Sequence, residues 1–128
     1  CFPNEELPSM TTMDVKHIAR FLGALSIEER VQIIKVLLEA GKDGLPMQEI
    51  ALQTELGASA VFKQLEALAG LELVFVKSVD NVKVYVANTL LLDELFEGMY
   101  QQYGPSIHAR LEQQALEALE QQSAQPEP

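Results

Sequence analysis

Residues 45–88 constrain the fold of this chain more than any other stretch, because two short helical patterns there are followed by two β-rich runs. The helical patterns span Met47–Glu55 and Ala58–Ala69 and are separated by Gly57. An Asp80-Asn81 pair suited to a tight turn separates the β-rich runs, which are Leu73–Lys77 and Val82–Val86. Two helices joined by a tight turn and followed by a hairpin predict a helix-turn-helix with a wing, a shape that usually binds DNA.

Two further helices are predicted before this stretch. The first runs from about Thr12 to Ala24, and the helix dipole favours Asp14 in its first turn. The second is expected to open with a capping box formed by Ser26 and Glu29 and to end at Gly41. The apolar stripe of the first helix is predicted to comprise Val15, Ile18, Ala19, Leu22 and Leu25.

After the hairpin, a fifth helix is expected to be capped by Asn88 or Thr89. Gly104-Pro105 is predicted to interrupt it, and a last helix follows from Pro105 to about Gln122. The apolar stripe from Leu91 to Tyr103 has two interpretations. It forms core or a dimer interface, or it lines a pocket for a small effector between the first and terminal helices.

These patterns predict one mainly α domain of α+β type over residues 12–122. It is a winged helix-turn-helix with a two-stranded β-hairpin wing and extra N- and C-terminal dimerisation helices. Residues 1–11 and 123–128 are expected to be flexible tails. No apolar run approaches the roughly 20 residues that cross a bilayer, and no secretory signal pattern is found. A cytoplasmic protein without a membrane partner is therefore expected.

The charge of the chain works against nucleic-acid binding. Nineteen acids against nine basic residues give a net charge of −10. Within residues 41–88, six acids face four lysines, which are Lys42, Lys63, Lys77 and Lys83. Because electrostatic affinity for DNA scales with the phosphates that a protein neutralises, this basic footprint is thin. A homodimer would double it.

Across residues 14–103 the chain resembles the ArsR-type winged-helix transcriptional repressors. Leu25–Leu37 looks like the opening core helix of that family, including an arginine at the matching step, and Glu49–Ala51 matches its Glu-Leu-Ala. Leu56–Leu68 keeps the apolar framework of the family's recognition helix, and Val84–Asn88 resembles the strand that leaves the wing. The resemblance implies the family's fold, homodimerisation through the first and terminal helices, and binding to operator DNA.

The residues left to bind DNA under this resemblance are few. In the recognition helix, Ser59, Lys63 and Gln64 retain hydrogen-bonding side chains, and the wing keeps Lys77 and Lys83. Gln64 is expected to pair bidentately with adenine, and Lys63 to reach guanine or a phosphate. The competing interpretation is that all five are ordinary solvated residues of a packed domain.

Other positions depart from the family's pattern. Gly57 stands where a capping serine is usual, and Ala58 and Ala60 replace polar residues. Glu72 occupies the position of an expected glycine turn. Phe62 stands where a small polar residue is usual, which indicates either contact with a thymine methyl group or a protein-binding surface.

Metal, redox and enzymatic chemistry have little support in the sequence. The Cys-x-Cys pair of metal-sensing relatives is missing, and Cys1 has no second thiol to pair with. A dimer-bridging site that combines His17 and His108 with acids is the one metal arrangement left open. No nucleophile elbow, phosphate loop or HExxH motif occurs. Neither a cofactor nor an enzyme is therefore expected.

The sequence favours a homodimeric DNA-binding transcriptional regulator, a repressor, whose partners are operator DNA, a second copy of the chain and a small-molecule or protein effector. Two alternatives remain at this point. One is a winged-helix protein-interaction module that has lost operator binding and uses Phe62 and its acidic surface. The other is a small-molecule sensor whose output is not DNA.

Overall fold

The fold is known from a computed structural model, which describes residues 14–124 as five α-helices, one 3₁₀ turn and a two-stranded antiparallel sheet. In chain order these are α1 (Val15–Ala24), α2 (Glu28–Ala40), the 3₁₀ turn (Gly41–Asp43), α3 (Met47–Thr54), α4 (Ala58–Gly70), β1 (Val74–Val79), β2 (Val82–Ala87) and α5 (Thr89–Ala124). The described residues divide into two compact units, 14–95 and 96–124. A mainly helical chain with one hairpin confirms the predicted fold class. The predicted tail 1–11, the helix start at Thr12 and residues 125–128 lie outside the described residues.

The core of the first unit lies where α2, α3, α4 and the hairpin meet. From α4, Val61, Leu65 and Leu68 are fully buried. Their spacing of four and three residues puts them on one side of the helix. From α2 and α3, the core receives Ile33, Leu37 and Ile50, which are also fully buried.

The apolar stripe predicted for α1 is wrong at three of its five positions. Ile18 is buried, but Ala19 is exposed, and Val15 and Leu22 are 67% and 50% exposed. The buried face consists instead of Ile18, Phe21 and Ala24. Both sets have helical spacing, and the observed one buries the aromatic ring of Phe21, the largest apolar side chain of this helix.

The predicted capping box between Ser26 and Glu29 is also wrong. Ser26 Oγ donates to the carbonyl oxygen of Gly23 at 2.8 Å and so satisfies the end of α1. Ile27 occupies the N-cap position of α2, without a side-chain cap. Because only residues 25–27 separate the two helices, Ser26 lies within reach of the open carbonyl groups of α1, and its hydroxyl binds there.

The start of α1 is capped by Asp14, which precedes the helix. Its Oδ1 accepts from the backbone N–H of His17 at 2.9 Å and lies 2.6 Å from His17 Nδ1. The hydrogen bond from the backbone N–H, followed by that from the ring, holds the pKa of the Asp14 carboxyl below its ordinary value. Asp14 therefore acts as an N-cap, which is a more specific role than dipole compensation.

The hairpin forms as the sequence predicts. Its register pairs Val74 with Ala87 and Val79 with Val82, which leaves Asp80 and Asn81 as a two-residue turn. Both turn residues have positive φ, 51° and 66°, as in the type I′ turns that match the twist of hairpin strands. The segment before α3 pairs with this sheet through hydrogen bonds in both directions between Leu45 and Tyr85, at 3.0 and 2.8 Å.

The predicted interruption at Gly104-Pro105 is wrong, because α5 continues from Thr89 to Ala124, two residues past the expected end. Its N-terminal cap is confirmed, since the backbone N–H of Leu91 donates to Asn88 Oδ1 at 3.2 Å. Pro105 removes the hydrogen bond that its N–H would give to the carbonyl of Gln101, and the helix continues on both sides although Gly104 and Ser106 flank the proline. One missing bond is therefore absorbed within a turn. No helix within residues 14–124 is long and apolar enough to cross a membrane.

Candidate nucleic-acid interface

The two helices of the helix-turn-helix, α3 and α4, are joined by a turn of three residues. Glu55 closes α3 in the left-handed conformation with φ 59°, and Gly57 begins α4 as its N-cap. Gly57 has no side chain to accept a hydrogen bond from the first amide groups of α4. The first turn of α4 therefore presents backbone N–H groups without a side-chain cap.

Apart from its buried side, α4 has an outer row of side chains and a flank on either side of that row. The outer row is exposed and comprises Ser59, Lys63 and Glu66. One flank carries Phe62, which is 43% exposed and lies toward the hairpin. The opposite flank carries Gln64, which is half-buried and lies toward α2. Of the three predicted DNA-binding residues in this helix, Ser59 and Lys63 share the outer row, whereas Gln64 does not.

Gln64 is held by an arginine that the sequence did not single out as a site residue. Arg30 Nε donates to Gln64 Oε1 at 2.8 Å, and Arg30 Nη1 donates to the carbonyl oxygen of Ala24 at 3.1 Å. The guanidinium of Arg30 therefore connects the last residue of α1 with the recognition helix. Because 34 residues separate Arg30 from Gln64, the sequence alone does not indicate this contact.

The two predicted wing lysines lie on opposite faces of the hairpin. Lys83 shares its face with Tyr85 and Val76, and these three side chains line a groove beside α4. Lys77 points to the other face, where its Nζ donates to the carbonyl oxygen of Lys42 at 2.9 Å. The structure therefore brings Lys83 toward the recognition helix and places Lys77 against the 3₁₀ turn.

Two grooves lie between the recognition helix and the wing, and Phe62 and Lys83 line both of them. The first, of about 510 Å³, also contains Glu66 and Val76. The second, of about 760 Å³, reaches Gln48 on α3 and Asn81 in the hairpin turn. Glu66 and Gln48 were not among the predicted site residues. Glu66 follows Lys63 by three residues, a spacing that places two side chains next to each other on a helix surface. The sequence could therefore have predicted that Glu66 shares the outer row of Lys63.

The wing exposes several large apolar side chains. Four of its large apolar side chains are between 44% and 52% exposed, namely Phe75, Val76, Val79 and Val82. Val76 lies on the same face as Lys83, beside Phe62, whereas Phe75 and Val79 lie on the face of Lys77. We call these four side chains and Phe62 the wing patch. The basic residues of the hairpin are Lys77 and Lys83.

An open cavity of about 430 Å³ lies within the unit formed by residues 14–95. Its walls come from α1, from the segment before β1 and from the start of α5, and its lining residues are His17, Arg20, Phe21, Ala24, Leu71, Leu73, Leu91 and Leu95. Leu91 and Leu95 belong to the apolar stripe from Leu91 to Tyr103. One interpretation of that stripe was the lining of an effector pocket. The cavity is mainly apolar and has Arg20 and His17 as its charged or polar side chains.

Farther along α5, a row of exposed apolar side chains recurs at steps of three and four residues. It comprises Phe96, Tyr100, Tyr103, Ile107 and Leu111, which we call the α5 row. Gly104 gives Tyr100 space beside the helix, since a Cβ there would lie 2.8 Å from Tyr100 Cε1. The hydroxyl of Tyr100 lies 3.0 Å from His108 Nε2. In residues 14–124, no three side chains of metal-binding type come together.

Two helices joined by a short turn, with a hairpin wing after the second helix and further helices on either side, define a winged helix-turn-helix. Solved structures share this architecture. An ArsR-like transcriptional regulator from Rhodococcus sp. RHA1 is similar with a TM-score of 0.59 and 24% identity, over 86% of this chain and 94% of that one. No family model matches the sequence, and no curated protein does.

MepR from Staphylococcus aureus is similar as well. In its complex with DNA it matches with a TM-score of 0.51 and 18% identity, over 85% of this chain and 90% of MepR. Another MepR structure, described as a transcription regulator of the multidrug efflux pump MepA, matches with a TM-score of 0.51 and 15% identity, over 94% of this chain and 93% of MepR. The chain therefore has the winged-helix fold of transcriptional regulators.

Proposed function

We propose that this chain is a DNA-binding transcriptional regulator that acts as a homodimeric repressor and is not an enzyme. The observation that carries the proposal is the placement of Ser59 and Lys63 on the exposed row of α4, beside a wing that turns Lys83 toward the same helix. In winged-helix proteins this helix enters the major groove while the wing contacts the neighbouring backbone. The fold of MepR, which one structure contains in complex with DNA, supports the same arrangement.

The proposed roles follow from exposure and charge. Lys63 is exposed near the middle of α4 and reaches either guanine or a phosphate, and Ser59 lies one turn earlier, near the uncapped N-terminus. Lys83 binds a flanking phosphate. Lys77 contributes less, because its ammonium already donates to the Lys42 carbonyl. Glu66 repels phosphates and is suited to accept from the amino group of cytosine.

Dimerisation is part of the proposal because one protomer offers too few cations. The α5 row and the exposed Val15 and Leu22 of α1 are apolar surfaces on the first and last helices, where burial against a second copy is favourable. Two protomers would present two recognition helices to successive major grooves. An effector in the cavity beside α1 would act by changing the spacing of these helices.

The test is binding to the DNA upstream of the chain's own gene, measured by fluorescence anisotropy at about 50 and 200 mM salt. With four to six phosphates neutralised per dimer, affinity should fall about a hundredfold or more over this range. Lys63→Ala or Lys83→Ala should weaken binding and lower the log–log salt slope by about one for each protomer that contacts DNA. Lys77→Ala should change binding less than Lys83→Ala.

The matched control is Lys35→Ala, which removes an exposed cation of α2 whose Nζ lies 3.8 Å from Glu39. It should leave both affinity and slope unchanged. Binding no stronger than to competitor DNA, even at low salt, would contradict the proposal. The second candidate, a protein-interaction module, is favoured by one observation, the exposed wing patch. It becomes the better explanation if DNA binding fails while Phe62→Ala or Val79→Ser abolishes binding to a protein expressed from a neighbouring gene.

A further inference from the structure

The amide of Gln64 has a defined orientation because its partner can only donate. Arg30 Nε carries a hydrogen, and a guanidinium has no acceptor, so the atom 2.8 Å away must be the oxygen of the amide. The oxygen of Gln64 is therefore turned toward α2, and its NH₂ group takes the other position on the planar amide. Gln64 and Arg30 are both half-buried, which shields this hydrogen bond from water.

Arg30 is itself fixed by a second contact. Its Nη1 donates to the Ala24 carbonyl at 3.1 Å, so two donors of one rigid plane are engaged in different directions. A guanidinium held at two points has little freedom to follow Gln64 into a groove of DNA. The Gln64 oxygen could leave Arg30 only by giving up a charge-assisted hydrogen bond and leaving a half-buried donor without its partner.

A bidentate contact with adenine needs both ends of a glutamine amide. The oxygen must accept from N6 of the base while the NH₂ group donates to N7, so both atoms must face the same base edge. In this chain the oxygen faces α2. We propose that Arg30 is a positioning residue that leaves Gln64 only its donor, so that the recognition helix selects a base edge made of acceptors, guanine with O6 and N7, instead of adenine. This inference rests on the proposed function, because it specifies what the same helix reads.

The experiment selects sequences from double-stranded DNA with a randomised segment, using the full-length chain and its variants. Gln64→Ala identifies the position that Gln64 reads, as the one where base preference disappears. Wild type should prefer guanine over adenine there by about tenfold in affinity, in the range of one good base contact. Arg30→Met frees the amide, and adenine should then bind as well as guanine or better. Lys35→Met, which removes a cation from the same helix, should keep the wild-type preference.

Gln64→Glu separates specificity from folding. A glutamate at this position still accepts from Arg30, now as an ion pair, so the stability of the fold should be kept, but it has no N–H to donate. The preference for guanine should be lost and affinity should fall about tenfold or more, while the urea midpoint stays at the wild-type value or rises. Even if Arg30→Met does not fold, this variant and the wild-type base preference together show whether the donor of Gln64 contacts the base.

The outcomes separate this inference from the function on which it rests. If no sequence is enriched by wild type, the proposed function fails and the inference fails with it. If sequences are enriched but the Gln64-dependent position prefers adenine, or if Gln64→Glu keeps the guanine preference, the inference alone is overturned. If Gln64→Ala changes no position, Gln64 is only a packing partner of Arg30, which also overturns it.

Discussion

Gly44 determines how closely the segment before α3 approaches the hairpin. Its φ of 72° and ψ of −172° lie in a region that glycine alone adopts readily. A Cβ at this position would lie 2.5 Å from the carbonyl oxygen of Tyr85, a backbone atom that cannot move without disturbing β2. The Leu45–Tyr85 bridge, which attaches the helix-turn-helix to its wing, therefore depends on glycine here.

We expect Gly44→Ala to lower the free energy of unfolding by about 3 kcal/mol or more, from backbone strain together with the overlap. Gly41→Ala is the matched control, because Gly41 has a similar conformation, φ 77° and ψ −155°, but no atom within 4 Å of a Cβ. Gly41→Ala should lower the free energy of unfolding only through backbone strain, by about 1–2 kcal/mol. Urea unfolding of both variants measures the difference. Equal losses would show that the close approach to β2 contributes nothing.

At the residue scale, sequence reasoning worked where a side chain acts on its own backbone neighbours. The Asn88 cap and the Asp80-Asn81 turn follow from local chemistry and are present. It failed where two local roles competed, as at Ser26, or where the partner is distant. Arg30 and Gln64 are 34 residues apart, and the spacing of polar residues within α4 alone could not show which of them faces α2.

At the scale of elements, periodicity predicted α4 well because the helix has one clear apolar side. It predicted α1 poorly, because two sets of apolar residues in this segment both have helical spacing. The predicted set was Val15, Ile18, Ala19, Leu22 and Leu25, and the buried set is Ile18, Phe21 and Ala24. Only the packing of α1 on its neighbours distinguishes the two faces. The orientations of Lys77 and Lys83 follow from strand alternation, but which face of the hairpin lies toward α4 depends on the tertiary arrangement.

Pro105 makes α5 weakest near the middle of the α5 row. Pro105→Ala would restore an N–H that can donate to the Gln101 carbonyl and would remove the ring that crowds the preceding turn. We expect this variant to stabilise the helix by up to about 3 kcal/mol and to slow amide hydrogen exchange in residues 101–109. Hydrogen exchange followed by mass spectrometry measures the effect on that segment.

Pro46→Ala provides the control, because Pro46 precedes α3 at its N-cap, where no helical hydrogen bond is missing. It should not stabilise its helix and should lower stability slightly, through greater freedom of the unfolded chain. Faster exchange in Pro105→Ala than in wild type would mean that the proline fits a bend on which the folded helix depends, contrary to our expectation.

At the scale of the whole molecule, association with a second copy and association with DNA should respond to salt in opposite directions. The chain carries a net charge of −10, so two copies of the proposed dimer would repel each other at long range, and burial of their apolar helix surfaces would oppose this repulsion. Salt screens this repulsion and should strengthen the dimer. The proposed contacts with phosphates, in contrast, should weaken as salt rises. A regulator of this charge would therefore show its tightest DNA binding at the salt concentration where dimerisation is already complete but phosphate contacts persist.

The α5 row is the surface that we expect the second copy to cover. Ile107→Asp places a charge within that row and should convert the proposed dimer into a monomer at micromolar concentration, as measured by sedimentation equilibrium. Leu116→Asp is the matched control: Leu116 is also exposed, and it lies nine residues later, which at about 100° per residue puts it on the opposite side of the helix. It should leave the dimer intact.

Because both variants add the same negative charge, a difference between them reports the apolar contact itself, and raising the salt should not rescue Ile107→Asp. A wild-type chain that sediments as a monomer under these conditions, or equal dissociation of the two variants, would remove the α5 row from the proposed interface.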